Sequence, residues 1–382
     1  MNSIIDSLLD DINYDNYNKI TTIVQLNQLL SSSRTDDDSM NHFFTIFLPH
    51  IKYSLTELSF INCRCRYNDS SLFSPLFRLS SIQKLTLNRV KDLCDITQYF
   101  PNSLTELNIS SIDEELEFEL REAFQQTNFL PHLQCLHEDL DTNCFLSLLL
   151  SSTLLMKATN KPRPIKNLLG IKSNWHEITQ IPSLSNILSN NYSWPLLESF
   201  KVSISGNNNH DNISIIDLTS LFYLLSFSPM ISNIYIYSFS SVFNERIMQY
   251  LVQMKQLKTL SCYFSNPEEL RLFTVDDIRC YLPSSCLSNL NKLSLGGVVI
   301  SNEDFCCLVL ASRNIIKSHI SFIDQFNVES LITMATGWRN LENLSLYSNP
   351  TTINIVHLLN KFNQHQIINF VNIIPVFNRL SN

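Results

Sequence analysis

The sequence predicts an α/β solenoid, with parallel strands lining a concave side and helices covering the convex one. Three observations lead there. Residues 341–349, Leu-Glu-Asn-Leu-Ser-Leu-Tyr-Ser-Asn, form the pattern L-x-x-L-x-L-x-x-N. Weaker copies recur from residue 55, at intervals from 22 (82 to 104) to 34 (197 to 231). The segments between copies carry apolar residues at helical spacing. A chain of 382 residues is long for one globular core but ordinary for a stack that grows in one dimension.

Each copy places apolar residues at its first, fourth and sixth positions. They are Leu55, Leu58 and Phe60; Ile82, Leu85 and Leu87; Leu104, Leu107 and Ile109; Leu197, Phe200 and Val202; Ile231, Ile234 and Ile236; Leu257, Leu260 and Cys262; Leu290, Leu293 and Leu295; and Leu341, Leu344 and Leu346. Degraded copies start at Leu133 with Leu136 and at Ile165 with Leu168. Another holds Ile320 and Phe322, and Ile367 with Phe370 reads as a terminal copy. The total is about ten to eleven irregular repeats. Strand residues alternate faces, so positions four and six share one side and position five takes the other. Burying one Leu or Ile contributes about 1.5–3 kcal/mol. Three per copy hold neighbouring turns together, while no turn is stable alone.

Residues 113–126 are the strongest helical spacer. Leu116, Leu120 and Phe124 share a face, and Asp113, Glu114, Glu115, Glu117 and Glu119 crowd the first turns, where the helix dipole favours acids. This acidic run reads as a solvated convex face. Residues 144–156 are apolar but only 13 long, and Ser147, Ser151, Ser152 and Thr153 interrupt them. A membrane span needs about 18 or more, so this segment reads as a buried helix. Helical spacing recurs at residues 214–227, 244–256, 301–312, 328–337 and 352–362, with Asn244, Ser301 and Thr351 as N-caps. Strand, helix and strand at this period imply parallel strands joined by right-handed crossovers.

Residues 1–50 lack the repeat. Ile4, Ile5, Leu8, Leu9 and Ile12 predict a short amphipathic helix, residues 20–30 a second, and residues 42–50 a third that stops near Pro49. Together they read as an N-terminal helical cap over the apolar edge of the first repeat. The solenoid then occupies residues 51–382, and residues 133–196 either continue it or break it into two blocks.

Residues 55–370 resemble the irregular intracellular leucine-rich-repeat proteins, which sometimes carry Cys instead of Asn at the ninth position. The resemblance implies a right-handed horseshoe that recognises other proteins through its concave face. One departure stands out. Only Asn349 and Cys63 keep the ninth position in its expected form; Val90, Ile112, Ser205, Phe239, Ser265 and Val298 replace it elsewhere. In the family that residue ties neighbouring turns through buried side-chain bonds to backbone, so its loss implies an uneven spiral.

The register also assigns the outward residues. Position five is small and polar at Ser59, Thr86, Asn108, Ser261, Ser294 and Ser345. Tyr237, Tyr263 and Tyr347 take seventh positions, Tyr235 a fifth and Phe264 an eighth. Exposed aromatics cover much area at low entropy cost and are enriched at binding hot spots. Tyr235, Tyr237, Tyr263, Phe264 and Tyr347 are therefore the candidate partner-binding residues.

Composition narrows the function classes. A net charge of -8 opposes general nucleic-acid binding, which needs a cationic face. Asp6, Asp10 and Asp11 stand where a secretory signal needs positive charge and an apolar run. The expectation is a cytoplasmic chain with no membrane segment, in which the ten cysteines stay reduced and the N-x-S/T sequons at Asn68, Asn108, Asn191, Asn212 and Asn343 arise by chance. Cys63-x-Cys65 lacks the second pair of a zinc site, and Cys306-Cys307 diverge by about 100° on a helix. The nine histidines, His319 among them, form no metal-binding pattern. Gly296-Gly297 is not followed by the Lys-Ser/Thr of a phosphate loop. Residues 157–166 carry Lys157, Lys161, Arg163 and Lys166 without an acid and read as a loop at a break in the solenoid, with a localisation signal as the alternative. No catalytic residue, cofactor or metal is expected. The chain reads as a monomeric, non-enzymatic module that binds a protein partner. One alternative is a substrate-recognition subunit of a ubiquitin ligase, with residues 1–50 as a degenerate F-box that lacks the early Leu-Pro opening. Another is a regulator of a GTPase or other enzyme.

Overall fold

The computed structural model describes residues 23–25, 56–61, 81–90, 95–140, 142–173, 194–204, 216–217, 219–238, 241–242, 245–264, 287–296, 302–321, 328–348 and 370–375. They belong to two compact units, Met1–Lys172 and Ser173–Asn382.

In the first unit the strands are β1 (Ile23–Gln25), β2 (Glu57–Ile61), β3 (Lys84–Asn88), β4 (Glu106–Ser110), β5 (Cys135–Leu140) and β6 (Asn167–Ser173). Each pairs parallel with the next in chain order. Parallel neighbours need a crossover. Helix α1 (Glu114–Gln125) supplies it between β4 and β5, and α2 (Thr142–Thr159) between β5 and β6. A single 3-10 turn, Thr97–Tyr99, lies between β3 and β4. On β3 and β4, Leu85, Leu87, Leu107 and Ile109 are buried and alternate with half-exposed residues, as a period of two requires. First positions Ile82, Leu104, Leu133 and Ile165 are buried as well. Register is therefore set by burial, because a one-residue slip would turn every apolar side chain outward.

Asp113 caps α1: its carboxylate accepts from the Leu116 N–H at 3.0 Å, with Glu114, Glu115 and Glu117 in the first turn. Glu119 departs from the expected solvated run, since its carboxylate accepts from the backbone N–H of Asp95, at the 3-10 turn. Burial there raises its pKa, opposed by that hydrogen bond. Helix α2 packs on α1. Its buried hydroxyls bond back along the helix, Ser151 and Ser152 Oγ both donating to the Leu148 carbonyl at 3.1 and 2.6 Å. Leu154 and Met156 are exposed, so α2 is buried on one side only. Asn160 ends it in the left-handed region (φ 53), with its N–H on the Met156 carbonyl at 2.8 Å.

The second unit holds β7 (Ser199–Ile204), β9 (Asn233–Ser238), β11 (Thr259–Phe264), β12 (Lys292–Gly296), β13 (Lys317–Ser321), β14 (Asn343–Ser348) and β15 (Phe370–Pro375), parallel and in that order. A separate short pair joins β8 (Ile216–Asp217) and β10 (Ser241–Val242). Crossover helices are α3 (Thr219–Ser226), α4 (Glu245–Gln253), α5 (Asn302–Ala311) and α6 (Val328–Gly337). Helix α3 packs on α4, and α5 on α6. A Cβ at Gly337 would meet Val309 Cγ1 at 2.5 Å, so the absent side chain lets α6 approach α5.

Four expectations need correction. Residues 216–217 are a strand paired with β10, so the helix expected over 214–227 begins at Thr219. Residues 23–25 are a strand paired with β2, not part of a helix over 20–30; local helical spacing yields here to an available strand edge. The copy read around Ile320 and Phe322 is shifted. Pairing of Lys292 with Lys317 and Leu295 with Ile320 makes Ile315 its first position and Ser318 its fourth. Ser318 is buried like the leucines it replaces, which hid the copy. The terminal copy is one residue out of register, because Phe370 pairs with Asn343, a third position. The predicted helix over 352–362, the caps Asn244, Ser301 and Thr351, and the pair Cys63 and Cys65 lie outside the described residues.

Two backbone devices tie neighbouring turns where the ninth-position Asn is missing. In nine repeats among the described residues the second-position carbonyl accepts two N–H groups from the next repeat. Gln83 O takes those of Thr105 and Glu106 at 2.8 and 2.9 Å; Lys258 O takes those of Asn291 and Lys292 at 2.8 and 3.0 Å. The same arrangement holds at Thr56, Thr105, Gln134, Glu198, Ser232, Asn291 and Ile316. A tight turn also leads into the strands, the first-position N–H bonding to the carbonyl three residues back, as in Leu197 to Trp194 (3.0 Å) and Leu341 to Trp338 (3.1 Å). Asn289 and Asn314, on successive turns, each donate Nδ2 to a carbonyl of the preceding turn, Lys255 O and Ser288 O, at 2.6 Å. Of the ninth positions, Val90 is buried and Ile112 half-buried; Asn349, Cys63, Ser205, Phe239, Ser265 and Val298 lie outside the described residues.

Candidate partner-binding surface

Positions three, five and seven of each strand point away from the core. In the second unit they carry the aromatic cluster. Tyr237 and Tyr263 pair in register on β9 and β11, and their rings stack with centroids 5.2 Å apart and planes 8° from parallel. Parallel strands lie about 4.8 Å apart, so in-register rings meet face to face without leaving the pleat. Lys201, on β7, sets its Nζ 5.6 Å from the Tyr237 ring centroid. On the other side Tyr263 leans across Gly296, where a Cβ would collide with its Cδ1. The ring then lies 5.7 Å from that of His319 on β13. Gly296 is thus the gap that admits Tyr263.

Tyr237 remains 37% exposed despite this packing. Tyr235 and Tyr263 are half-buried. Burial raises the Tyr237 hydroxyl pKa, helped by Tyr263 and Tyr235 nearby. Burial, with the Lys292 ammonium beside it, lowers that of His319, which favours neutral imidazole. The small, polar fifth positions are covered here: Ser261 is 2% and Ser294 1% exposed. They lie between Tyr235 and His319 in the register.

Of the five candidate residues, Tyr235, Tyr237 and Tyr263 come together. Phe264 closes β11, and Tyr347 lies on β14 three strands from Tyr263 in the same row; their side chains lie outside the described residues. Sequence reading missed Lys201, Gly296 and His319 as members. His319 was hidden by the mis-set register of its copy. Lys201 was legible, since it holds the fifth position after Leu197 and faces the fifth-position Tyr235.

The corresponding rows of the first unit are charged instead. Lys84 Nζ meets Glu106 Oε1 at 3.1 Å, and His137 Nε2 lies 3.7 Å from the same oxygen. Asn108 Nδ2 bonds to that oxygen and to Thr86 Oγ1 at 3.2 and 3.3 Å. The Glu106 bond raises the Lys84 pKa. These side chains are partly exposed, so such a pair contributes about 0–1 kcal/mol.

Other candidates resolve into structure. Arg163 lies in the loop between α2 and β6, as expected of residues 157–166, but it is 2% exposed. Its Nη1 donates to Phe129 O at 2.8 Å, and Nη2 to Gln126 O and Thr127 O at 2.7 and 3.2 Å. It thereby closes the C-terminal end of α1. The Cys262 thiol is fully buried, and burial pushes its pKa up, away from reactivity. Among the described residues no group of three or more His, Cys, Asp or Glu is placed to hold a metal, and no helix is long and apolar enough to cross a membrane.

Parallel strands in chain order, inward apolar residues at positions one, four and six, and crossovers through helices define the leucine-rich-repeat α/β solenoid. No protein-family model matches the chain, and no curated protein matches it either. Among solved structures, it is similar to the leucine-rich repeat-containing protein LegL7 from Legionella pneumophila, at 14% identity and a TM-score of 0.42, over 90% of this chain and 98% of that one. The register and burial of this chain's own strands define its fold.

Proposed function

We propose that the chain is a protein-binding module whose contact surface is the Tyr235, Tyr237 and Tyr263 patch of the second unit. The observation that carries this is an aromatic pair held in place yet left open: Tyr237 is 37% exposed while its ring is fixed by Tyr263 and Lys201. Tyrosines needed only for the core would be covered. Fixed rings also lose little further freedom on binding. Phe264 and Tyr347 extend the same surface in this reading. The F-box alternative concerns residues 1–50, most of which lie outside the described residues.

The test is affinity purification from the native cell with mass spectrometry, followed by titration of the purified partner. Tyr237→Ala with Tyr263→Ala should weaken that binding at least tenfold while the circular dichroism spectrum and melting curve hold. Unchanged affinity would remove the proposal.

A further inference from the structure

The charge around the tyrosines is unlike that of the chain as a whole. The protein carries a net charge of -8. Yet among the described residues, positions three, five and seven of β7, β9, β11, β12, β13 and β14 hold Lys201, Lys292, Lys317 and His319, and no Asp or Glu. All three lysines are exposed. The matching rows of the first unit contain Glu57 and Glu106 beside Lys84. Lysines of like charge on one sheet face repel, and no carboxylate in these rows offsets them.

Their spacing is informative. Lys201, at position five beside Tyr235, lies on one side of the tyrosine strands β9 and β11, and Lys292 and Lys317, at position three, lie on the other. From β7 to β13 there are four strand intervals, or about 19 Å at the usual spacing of parallel strands. Six residues of extended chain cover about 20 Å. The arrangement suits a segment lying across the strands, with anionic groups at both ends and uncharged residues crossing Tyr235, alongside the Tyr237 and Tyr263 pair.

A strand of nucleic acid is also anionic and often meets lysine and aromatic residues together, but it needs open ring faces for its bases. Here Tyr237 has Lys201 on one side and Tyr263 on the other, and Tyr263 lies against Gly296 and His319. The rings present edges and hydroxyls, not faces. We infer that this surface takes an extended acidic peptide segment of about six to eight residues, with carboxylates at each end, seated between Lys201 and the Lys292/Lys317 pair. The inference rests on the proposed binding role of the tyrosine patch and adds the chemistry of the partner.

The experiment uses the full chain and fluorescence anisotropy. The probe is a labelled eight-residue peptide with two glutamates at each end and four uncharged residues between. Controls are the same peptide with glutamines for glutamates, one with all four glutamates adjacent at the centre, and an eight-nucleotide oligothymidine. The end-charged peptide should bind, weaken as salt rises, and exceed both peptide controls and the oligonucleotide. Lys201→Gln, Lys292→Gln and Lys317→Gln combined should lower its affinity about tenfold or more, as three exposed ion pairs are worth. Equal binding of the glutamine peptide, tighter binding of the oligonucleotide, or indifference to the triple substitution would overturn the inference. So would self-association of the chain, blocked by the same substitutions, in place of peptide binding. If the tyrosine double variant loses a native partner while the lysine triple variant keeps it, the acidic-segment inference fails and the binding role stands. If neither variant loses it, both fail.

Discussion

Replacing Arg163 with methionine keeps most of the buried stem but removes a cation that three carbonyls share. The guanidinium bonds to Gln126 O, Thr127 O and Phe129 O at 2.7 to 3.2 Å. Hydrogen bonds to a charged group contribute about 1.5–3 kcal/mol each, so three set a ceiling of roughly 9 kcal/mol. Against this stands the desolvation of a buried cation, several kcal/mol, which the variant recovers. That same burial lowers the Arg163 pKa to about 10, so it remains charged at neutral pH. The difference leaves an expected loss of about 2–4 kcal/mol. Arg163→Lys should lose at least half as much, because an ammonium cannot reproduce the planar fork that spans the end of α1. A urea titration followed by fluorescence and circular dichroism measures the loss. Hydrogen exchange at the Phe129 and Leu133 amides, which close the turns after α1, localises it. A methionine variant within about 0.5 kcal/mol of the parent, the size typical of a surface change, would show that the three bonds do not hold this turn.

Two further substitutions test packing. Leu344 is 0% exposed in β14, and Leu344→Ala should cost about 2–5 kcal/mol; a melt without loss would contradict the register. Gly337→Ala should lose about 1–3 kcal/mol to overpacking against Val309 and gain at most roughly 1 kcal/mol in helix propensity, a net loss of up to about 2 kcal/mol. A more stable variant would mean that α5 and α6 separate freely.

The fold was legible because burial repeats. Leu85 and Leu87, or Ile234 and Ile236, point inward wherever the template found them. Template reading failed where a polar residue took an inward position, as Ser318 does, and where a strand was short and lacked the pattern, as at residues 23–25. The turn leading into the strands was also readable, in Pro131, Pro195 and Pro229 after a buried residue, since proline suits the second position of a turn. Reading the repeat from its first leucine left that turn outside the template.

The site was legible only in part. Position in the repeat identified Tyr235, Tyr237 and Tyr263 as outward. It said nothing of ring stacking, which depends on the pairing of β9 with β11, or of the space left by Gly296 on β12. Arg163 shows the same limit from the other side. Four cations without an acid marked residues 157–166 as a loop but not Arg163 as buried, because the carbonyls that hold it lie 34 to 37 residues away in sequence.

The sequence by itself determined the repeating unit, because alternation of apolar residues along a strand is a local property with one favourable way to bury. Tertiary structure alone decided which outward residues become neighbours. That depends on strand order and register, set by long-range backbone hydrogen bonds such as those shared by the second-position carbonyls. Those bonds involve groups that every residue carries, so no side-chain pattern announces them.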